Sequence, residues 1–143
     1  MKAITRTKTG LRKPKSKRLR MPKFFPVDQE TRHCASLIEN EVARWPNVRV
    51  KPMFGMAAFF RKNAIFAAVP RTRTLRSPQS IIMKFHPVPD SLVEKIQAES
   101  RIADRAPGPG AGWHAFELSS PDDIRDALWW LNRAYDCAGN GKP

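Results

Sequence analysis

Side chains that could act as metal ligands or nucleophiles are few in this sequence. The three histidines and two cysteines are His33, Cys34, His86, His114 and Cys137. None of them has the ligand spacing that recurs in zinc sites, and a catalytic nucleophile needs a base within reach. His33 and Cys34 are adjacent, so a helix would direct them to different faces. We therefore expect no catalytic residues, no metal and no cofactor, and a protein that is not an enzyme.

Basic side chains are the second group that could bind a ligand, and they are abundant. The formal net charge is +13 over 143 residues. Residues 1–23 hold ten Lys or Arg and no acid, and the stretch between Glu41 and Asp90 holds nine and no acid. A segment with charge of one sign repels itself, whereas mixed signs would relieve that repulsion. Such a field attracts polyanions, so the pattern favours a phosphate-rich partner.

The candidate nucleic-acid contacts come from these two basic segments. They are Arg12, Lys13, Lys15, Lys17, Arg18, Arg20, Arg49, Lys51, Arg61, Lys62, Arg71, Arg73, Arg76 and Lys84. Contacts to phosphate supply affinity without reading sequence, so we expect nucleic acid of any sequence. Phosphate contacts do not distinguish DNA from RNA, and DNA is the partner we expect of the two. Four aromatic residues could stack on unpaired bases or pack in the core, namely Phe59, Phe60, Trp113 and Trp129. The alternative is an adaptor domain that binds an acidic protein partner.

Composition also predicts how the chain is divided. Residues 1–23 lack apolar periodicity and carry high charge, which predicts a disordered basic arm. The folded domain is expected over residues 24–139, with a flexible C-terminus at residues 140–143. No window approaches the roughly 18 apolar residues of a membrane span, and the N-terminus lacks the apolar part of a signal peptide. Two cysteines are too few for a disulfide framework, so we expect a cytoplasmic protein.

The first half of the domain is predicted as one helix and four strands. Asp28 should cap a helix that runs to about Arg44, with Cys34, Leu37, Ile38, Val42 and Trp45 on its apolar face. Alternating residues and turn signals predict the strands, which cover 48–51, 57–61, 64–69 and 81–85. Lys62 and Asn63 form the turn of the central hairpin, with Asn63 suited to positive φ. Residues 70–79 hold three arginines between prolines and are predicted to be a mobile loop.

The second half is predicted as helix, strand and helix. Ser91 and Glu94 should form a capping box for the second helix, and residues 113–118 alternate like a strand. Ser120 is the expected N-cap of the last helix, and Gly139 its expected C-terminal stop. The predicted fold is a single α+β domain with an antiparallel sheet of four to five strands. Its element order is α-β-β-β-β-α-β-α, with the helices packed on the sheet.

Several motifs are similar to those of a known superfamily. Residues 52–55 (Pro-Met-Phe-Gly), a strand pair with residues 65–67 (Ile-Phe-Ala) in its second member, and residues 82–84 (Ile-Met-Lys) resemble the N-terminal domain of TfoX-type competence regulators. The strand at residues 113–118 and the helix that follows resemble the related MmcQ/YjbR group. Where the TfoX family has a second glycine, this chain has Met56. The resemblance implies a small α+β domain that binds DNA or regulators and has no established catalytic site.

Overall fold

A computed structural model of the protein describes residues 24–75, 77–85, 88–102 and 112–140. Its helices are α1 (Gln29–Val42), α2 (Asp90–Ala98) and α3 (Ile124–Asn140), and a short 3₁₀ turn (Pro121–Asp123) precedes α3. The strands are β1 (Phe24–Pro26), β2 (Val48–Met53), β3 (Met56–Arg61), β4 (Ala64–Pro70), β5 (Arg73–Leu75), β6 (Ser80–Lys84) and β7 (Trp113–Glu117). The predicted arm at residues 1–23 lies outside the described residues.

Five strands form one antiparallel sheet in the order β2-β3-β4-β6-β7, and β1 pairs with β5 in a separate two-stranded sheet. This arrangement confirms the predicted α+β domain with its five-stranded antiparallel sheet. The predicted element order also matches, apart from the two short strands β1 and β5. Pro52 lies in β2 at an edge of the sheet, where a residue without an N–H costs no hydrogen bond to a neighbouring strand.

One face of the sheet, here called the inner face, packs against α1 and α3. Cross-strand partners share a face, and the register aligns Val50, Phe59, Ala67, Met83 and His114 across the five strands. The core of this face combines sheet residues with helix residues that include Ile38, Val42, Leu131 and Ala134. Each fully buried large apolar side chain contributes roughly 1.5–3 kcal/mol of transfer free energy. This layer therefore holds the sheet rigid.

The N-terminus of α1 follows the predicted capping pattern. The Asp28 carboxylate accepts a hydrogen bond from the Thr31 N–H at 2.7 Å, and that bond lowers the pKa of Asp28 below its usual value. The predicted apolar face was wrong at one position, because Leu37 is 45% exposed. The buried positions include Cys34, Ala35 and Ile38, which follow the three- and four-residue spacing of a helix.

The other helix ends divide between confirmed and wrong predictions. Ser120 and Asp123 form a reciprocal capping box at the start of the last helical segment, as predicted. The capping box at Ser91 was wrong, because α2 already begins at Asp90 and its N-cap, Pro89, has no side-chain acceptor. The stop at Gly139 was also wrong, because α3 continues to Asn140. A Cβ at Gly139 would meet the guanidinium of Arg61, so the glycine makes room for that side chain.

The arginine-bearing segment after β4 is ordered rather than a mobile loop, over the part that the structure describes. Residues 73–75 form β5, which pairs with β1. The Gly55 carbonyl accepts hydrogen bonds from three successive N–H groups, those of Arg71, Thr72 and Arg73, at 2.9–3.1 Å. These bonds tie β5 to the turn between β2 and β3. In the next hairpin turn the residue with positive φ is Lys62 (57°), not Asn63 as predicted.

Candidate nucleic-acid interface

The face of the sheet opposite α1 and α3, here called the outer face, carries most of the basic side chains that were predicted for the strands. One row across it contains Lys51, Ala58, Ala68, Ile82 and Ala115. Small and apolar residues fill the centre of this row and are buried in a second core cluster that includes Leu75 of β5, and a lysine stands at the β2 edge. The outer face is therefore basic at its margin rather than across its middle.

The next row of the outer face runs toward the Lys62-Asn63 turn. On one side, Arg49 of β2 pairs with Phe60, which pairs with Ile65. On the other side, Lys84 pairs with Trp113. The two rows together place three cations and two aromatic rings on the same face. Strand alternation places Arg49 and Lys51 on one face, because they are two residues apart on β2, and the strand register places Lys84 and the rings on the same face.

Two of these cations lie over aromatic rings. The Lys51 Nζ is 5.1 Å from the centre of the Phe60 ring, and the Lys84 Nζ is 5.8 Å from that of Trp113. Arg49 donates a hydrogen bond to the Asn63 side-chain oxygen at 3.3 Å. Cation–π contacts of this kind fix an ammonium group in place while leaving N–H donors for another acceptor. The side chains are therefore oriented without being neutralised.

No carboxylate of the described residues lies within ion-pair distance of Arg49, Lys51, Lys62 or Lys84. Lys51 and Lys84 stand three strands apart, which corresponds to roughly 14 Å at the spacing of neighbouring strands. That separation exceeds the Debye length of about 8 Å at physiological salt. Each cation can therefore bind a phosphate nearly independently of the other.

Arg61 was predicted as a nucleic-acid contact, and the structure places it on the inner face instead. Its Nη1 donates to the backbone carbonyl of Tyr135 at 3.0 Å, and its guanidinium lies 4.1 Å from the centre of the Tyr135 ring. Tyr135 in turn donates its hydroxyl to the Pro46 carbonyl at 2.7 Å. Arg61 thus connects the end of β3 to α3. We therefore reassign Arg61 from a nucleic-acid contact to a residue that stabilises the fold.

The arginines after β4 differ from one another. Arg71 forms a bidentate pair with Glu39 of α1, with its Nη2 2.7 Å from Oε2, and this bond raises the pKa of Arg71. Arg73 is exposed, and among the described residues its Nη1 donates to the neighbouring Thr72 carbonyl at 3.2 Å and its guanidinium meets no carboxylate. Arg73 is therefore available to an anion, whereas Arg71 is partly neutralised. Arg76 and the candidates Arg12, Lys13, Lys15, Lys17, Arg18 and Arg20 lie outside the described residues.

The four aromatic candidates separate by burial. Phe59 is fully buried on the inner face, and Trp113 is only 5% exposed, so both pack in the core. Phe60 is half-buried on the outer face, and Trp129 is 41% exposed on α3, away from the outer face. Sequence reasoning missed Phe54, which is 65% exposed in the turn after β2. Its position before Gly55 in a hairpin turn was the available indication.

A second charged region, here called the Arg101 cluster, lies beside α2 and α3. The Arg101 guanidinium donates to Glu99 at 2.7 Å, to Asp123 at 2.8 Å and to Asp126 at 3.0 Å. The bond from Arg101 lowers the pKa of Glu99, and the carboxylates raise the pKa of Arg101. Burial acts to raise the pKa of Asp123, but its hydrogen bonds outweigh burial and lower it. The charge of Arg101 is therefore fully paired, and three carboxylates around one cation leave the cluster net negative.

The Arg101 cluster forms one wall of an open groove of about 340 Å³. Its lining residues are Lys95, Ala98, Glu99, Arg101, Asp126, Trp129 and Trp130. The Trp129 and Trp130 rings meet edge to face at 4.9 Å, and Arg133 lies over Trp129 at the same distance. Only Trp129 of the two rings is exposed, so the groove offers one apolar edge among paired charges.

Three further kinds of feature bear on function in the described part of the chain, namely a metal site, a reactive thiol and a membrane-spanning helix. Within it, no group of three or more His, Cys, Asp or Glu is placed to hold a metal ion. Cys34 and Cys137 are buried free thiols, and burial raises the pKa of each, which disfavours the reactive thiolate. No helix in that part is long and apolar enough to cross a membrane.

Comparison with family models, with curated proteins and with solved structures found no match. The resemblance to TfoX-type and MmcQ/YjbR-type proteins therefore stays a prediction based on its motifs. The function has to be argued from the site itself.

Proposed function

We propose that the protein binds nucleic acid, DNA in preference to RNA, through the cations of the outer face, without catalysing a reaction. The observation that supports this function best is the difference in pairing among the cations. Arg101 and Arg71 meet carboxylates, whereas Arg49, Lys51 and Lys84 meet aromatic rings or an amide. Unpaired cations held on a rigid sheet are suited to phosphate contacts.

The proposed contact is led by the sheet and not by a helix. The last helical segment begins with Asp122 and Asp123, and Asp126 follows in its first turn. These carboxylates would repel phosphate, which disfavours insertion of this helix into a DNA groove. The ten basic residues in 1–23 would add further phosphate contacts. Binding should therefore depend strongly on salt and only weakly on base sequence.

The test is a salt titration of binding with the full chain. Affinity is measured by fluorescence anisotropy for a random DNA duplex, the same DNA as a single strand, and the matching RNA. We expect the logarithm of affinity to fall linearly with the logarithm of salt, by about 0.9 per phosphate contact on duplex. Tighter binding to the DNA strand than to the RNA strand is expected. Absence of binding at low salt to all three would reject the proposal.

The second candidate is a protein-interaction or regulatory domain, and the groove beside Trp129 favours it. An exposed tryptophan next to a concave surface is typical of residues that dominate the energy of interfaces. The resemblance to TfoX-type regulators supports the same role. The variant Trp129→Ala distinguishes the two candidates. If the outer face binds nucleic acid, this variant should keep the wild-type affinity for nucleic acid. Loss of nucleic-acid binding in Trp129→Ala, with the fold intact, would argue against the outer face as the interface.

A further inference from the structure

Phe54 is the most exposed large apolar side chain in the described part of the chain, at 65%. It stands in the turn between β2 and β3 with φ of 52°, a region that non-glycine residues seldom adopt. Its ring meets Phe24 of β1 at 5.6 Å between centroids, tilted by 45°. Burial does not account for an aromatic residue here, because most of the ring faces solvent.

The turn that carries Phe54 is held firmly. Gly55 follows with φ of 82°, and its carbonyl accepts the three N–H groups of residues 71–73. A Cβ at Gly55 would stand 2.8 Å from the Cβ of Arg73, so the two backbones are in close contact. The Phe54 ring is therefore presented from a fixed support, and the exposed Arg73 lies against the next residue, Gly55.

Phe54 continues the basic edge of the sheet. Arg49 and Lys51 point to the outer face from the edge strand β2, and Phe54 follows directly after that strand. From residue 49 to residue 54 the chain advances roughly 16 Å at the rise of a strand. Two cations and an exposed ring thus follow one another along the β2 edge, and Arg73 of β5 lies against the turn at its end.

We propose that this edge binds single-stranded nucleic acid, with an unpaired base stacked on Phe54 and the flanking phosphates at Arg73 and Lys51. The proposal rests on the proposed function and specifies its ligand. An aromatic face binds any unpaired base by stacking, whereas a duplex keeps its base faces covered. Lys51, three residues before the ring, and Arg73, against Gly55, would supply the backbone contacts that single-strand binders combine with such stacking.

A protein partner fits this edge less well. A stable protein interface covers about 800 Å² on each partner and has an apolar centre depleted of charge. The exposed residues next to Phe54 in sequence or against its turn are Pro52, Arg71, Thr72 and Arg73, and Phe24 beside the ring is half-buried, so the exposed apolar area here is small. A single exposed ring with cations on neighbouring segments matches a nucleotide better than it matches an apolar protein surface.

The experiment compares Phe54 variants in the full chain. Phe54→Asn removes the ring while keeping a residue that tolerates positive φ, and Phe54→Trp keeps a stacking surface. Anisotropy is measured with an oligothymidine of about 15 nucleotides, within the site sizes of single-strand binders, and with a duplex of the same length. We expect Phe54→Asn to weaken oligothymidine binding by about 5- to 150-fold, the factor that corresponds to one lost stack. Phe54→Trp keeps an aromatic face and should bind the oligothymidine about as tightly as wild type does.

Binding to the duplex distinguishes base stacking on Phe54 from the phosphate contacts of the proposed function. Phe54→Asn should bind duplex within about twofold of wild type and keep the wild-type salt slope, because no charge is removed. Wild-type affinity of Phe54→Asn for oligothymidine would overturn the stacking inference while leaving the phosphate contacts intact. Equal losses on single strand and duplex would overturn it too, because they indicate a structural role for the ring. Failure of wild type to bind either ligand would reject the proposed function itself.

Discussion

The Arg101 cluster and the outer face use the same kinds of cation in opposite ways. Arg101 donates to three carboxylates and is more than two-thirds buried, so its charge is already paired within the fold. Lys51 and Arg49 are exposed on an edge strand and meet no carboxylate of the described residues. The comparison shows that net charge alone does not locate a binding surface. What distinguishes the two regions is whether a partner within the chain already satisfies each cation.

The largest expected effect on stability is that of Arg101→Ala. The substitution removes bonds to three carboxylates and leaves those charges facing one another, so we expect the free energy of unfolding to fall by about 2–3 kcal/mol. Urea unfolding at neutral pH measures the change. Arg125→Ala, at an exposed position of α3, is the matched control and should lie within roughly 0.5 kcal/mol of wild type. Nucleic-acid affinity should be unchanged in Arg101→Ala.

The same cluster predicts how stability depends on pH. Glu99 and Asp123 have lowered pKa values in the folded protein, so their contribution is present above their unfolded pKa values of about 4. It is lost as the pH falls through the folded pKa values. Urea unfolding between neutral and acidic pH should therefore show a steeper acid loss in wild type than in Arg101→Ala. Parallel acid limbs in the two proteins would contradict the role of the cluster.

Arg61→Ala tests the corrected assignment of Arg61. The residue bonds the Tyr135 carbonyl and covers the Tyr135 ring, so its removal should destabilise the fold by about 1–3 kcal/mol. The exposed Arg49→Ala serves as the control and should change stability little. Binding should respond in the reverse order, with a loss in Arg49→Ala and none in Arg61→Ala. If Arg61→Ala reduced the salt dependence of nucleic-acid binding, Arg61 would contact phosphate and the corrected assignment would be wrong.

The smallest expected effects separate two neighbouring arginines. Arg71→Ala breaks an exposed ion pair with Glu39, so it should cost about 0.2–1 kcal/mol of stability. Arg73 forms no ion pair with a described residue, so Arg73→Ala should leave stability unchanged within roughly 0.5 kcal/mol. Single-strand binding should weaken more in Arg73→Ala. Equal binding losses in the two variants would indicate that only the total charge of the segment matters.

Local patterns predicted most of the fold. The alternation of Val48, Arg49, Val50 and Lys51 gave the correct faces of β2, since alternate strand residues point to opposite sides. Ser120 and Asp123 gave the correct start of the last helical segment, because a capping box depends on residues three apart. These features could be predicted because each depends on neighbours in sequence.

What could not be predicted depends on contacts between distant residues. The strands β1 and β5 have three residues each and pair across almost fifty positions, too short for a periodic pattern. Arg61 resembles the other strand cations in sequence, and its contact with Tyr135 on a distant helix separates it from the proposed interface. Gly139 looked like a helix stop, yet its lack of a side chain serves that same arginine. The exposure of Phe54 likewise depends on how the hairpin meets β5.

The central claim is that the unpaired cations of the outer face contact phosphate, and one salt titration tests it most directly. The triple variant Arg49→Ala, Lys51→Ala, Lys84→Ala is compared with Arg32→Ala, Lys95→Ala, Arg125→Ala, which removes the same charge from exposed helix positions. On duplex DNA we predict that the outer-face variant lowers the salt slope by about 2.7, at 0.9 for each phosphate, and that the helix variant leaves the slope near wild type. Equal slopes in the two variants would contradict the claim.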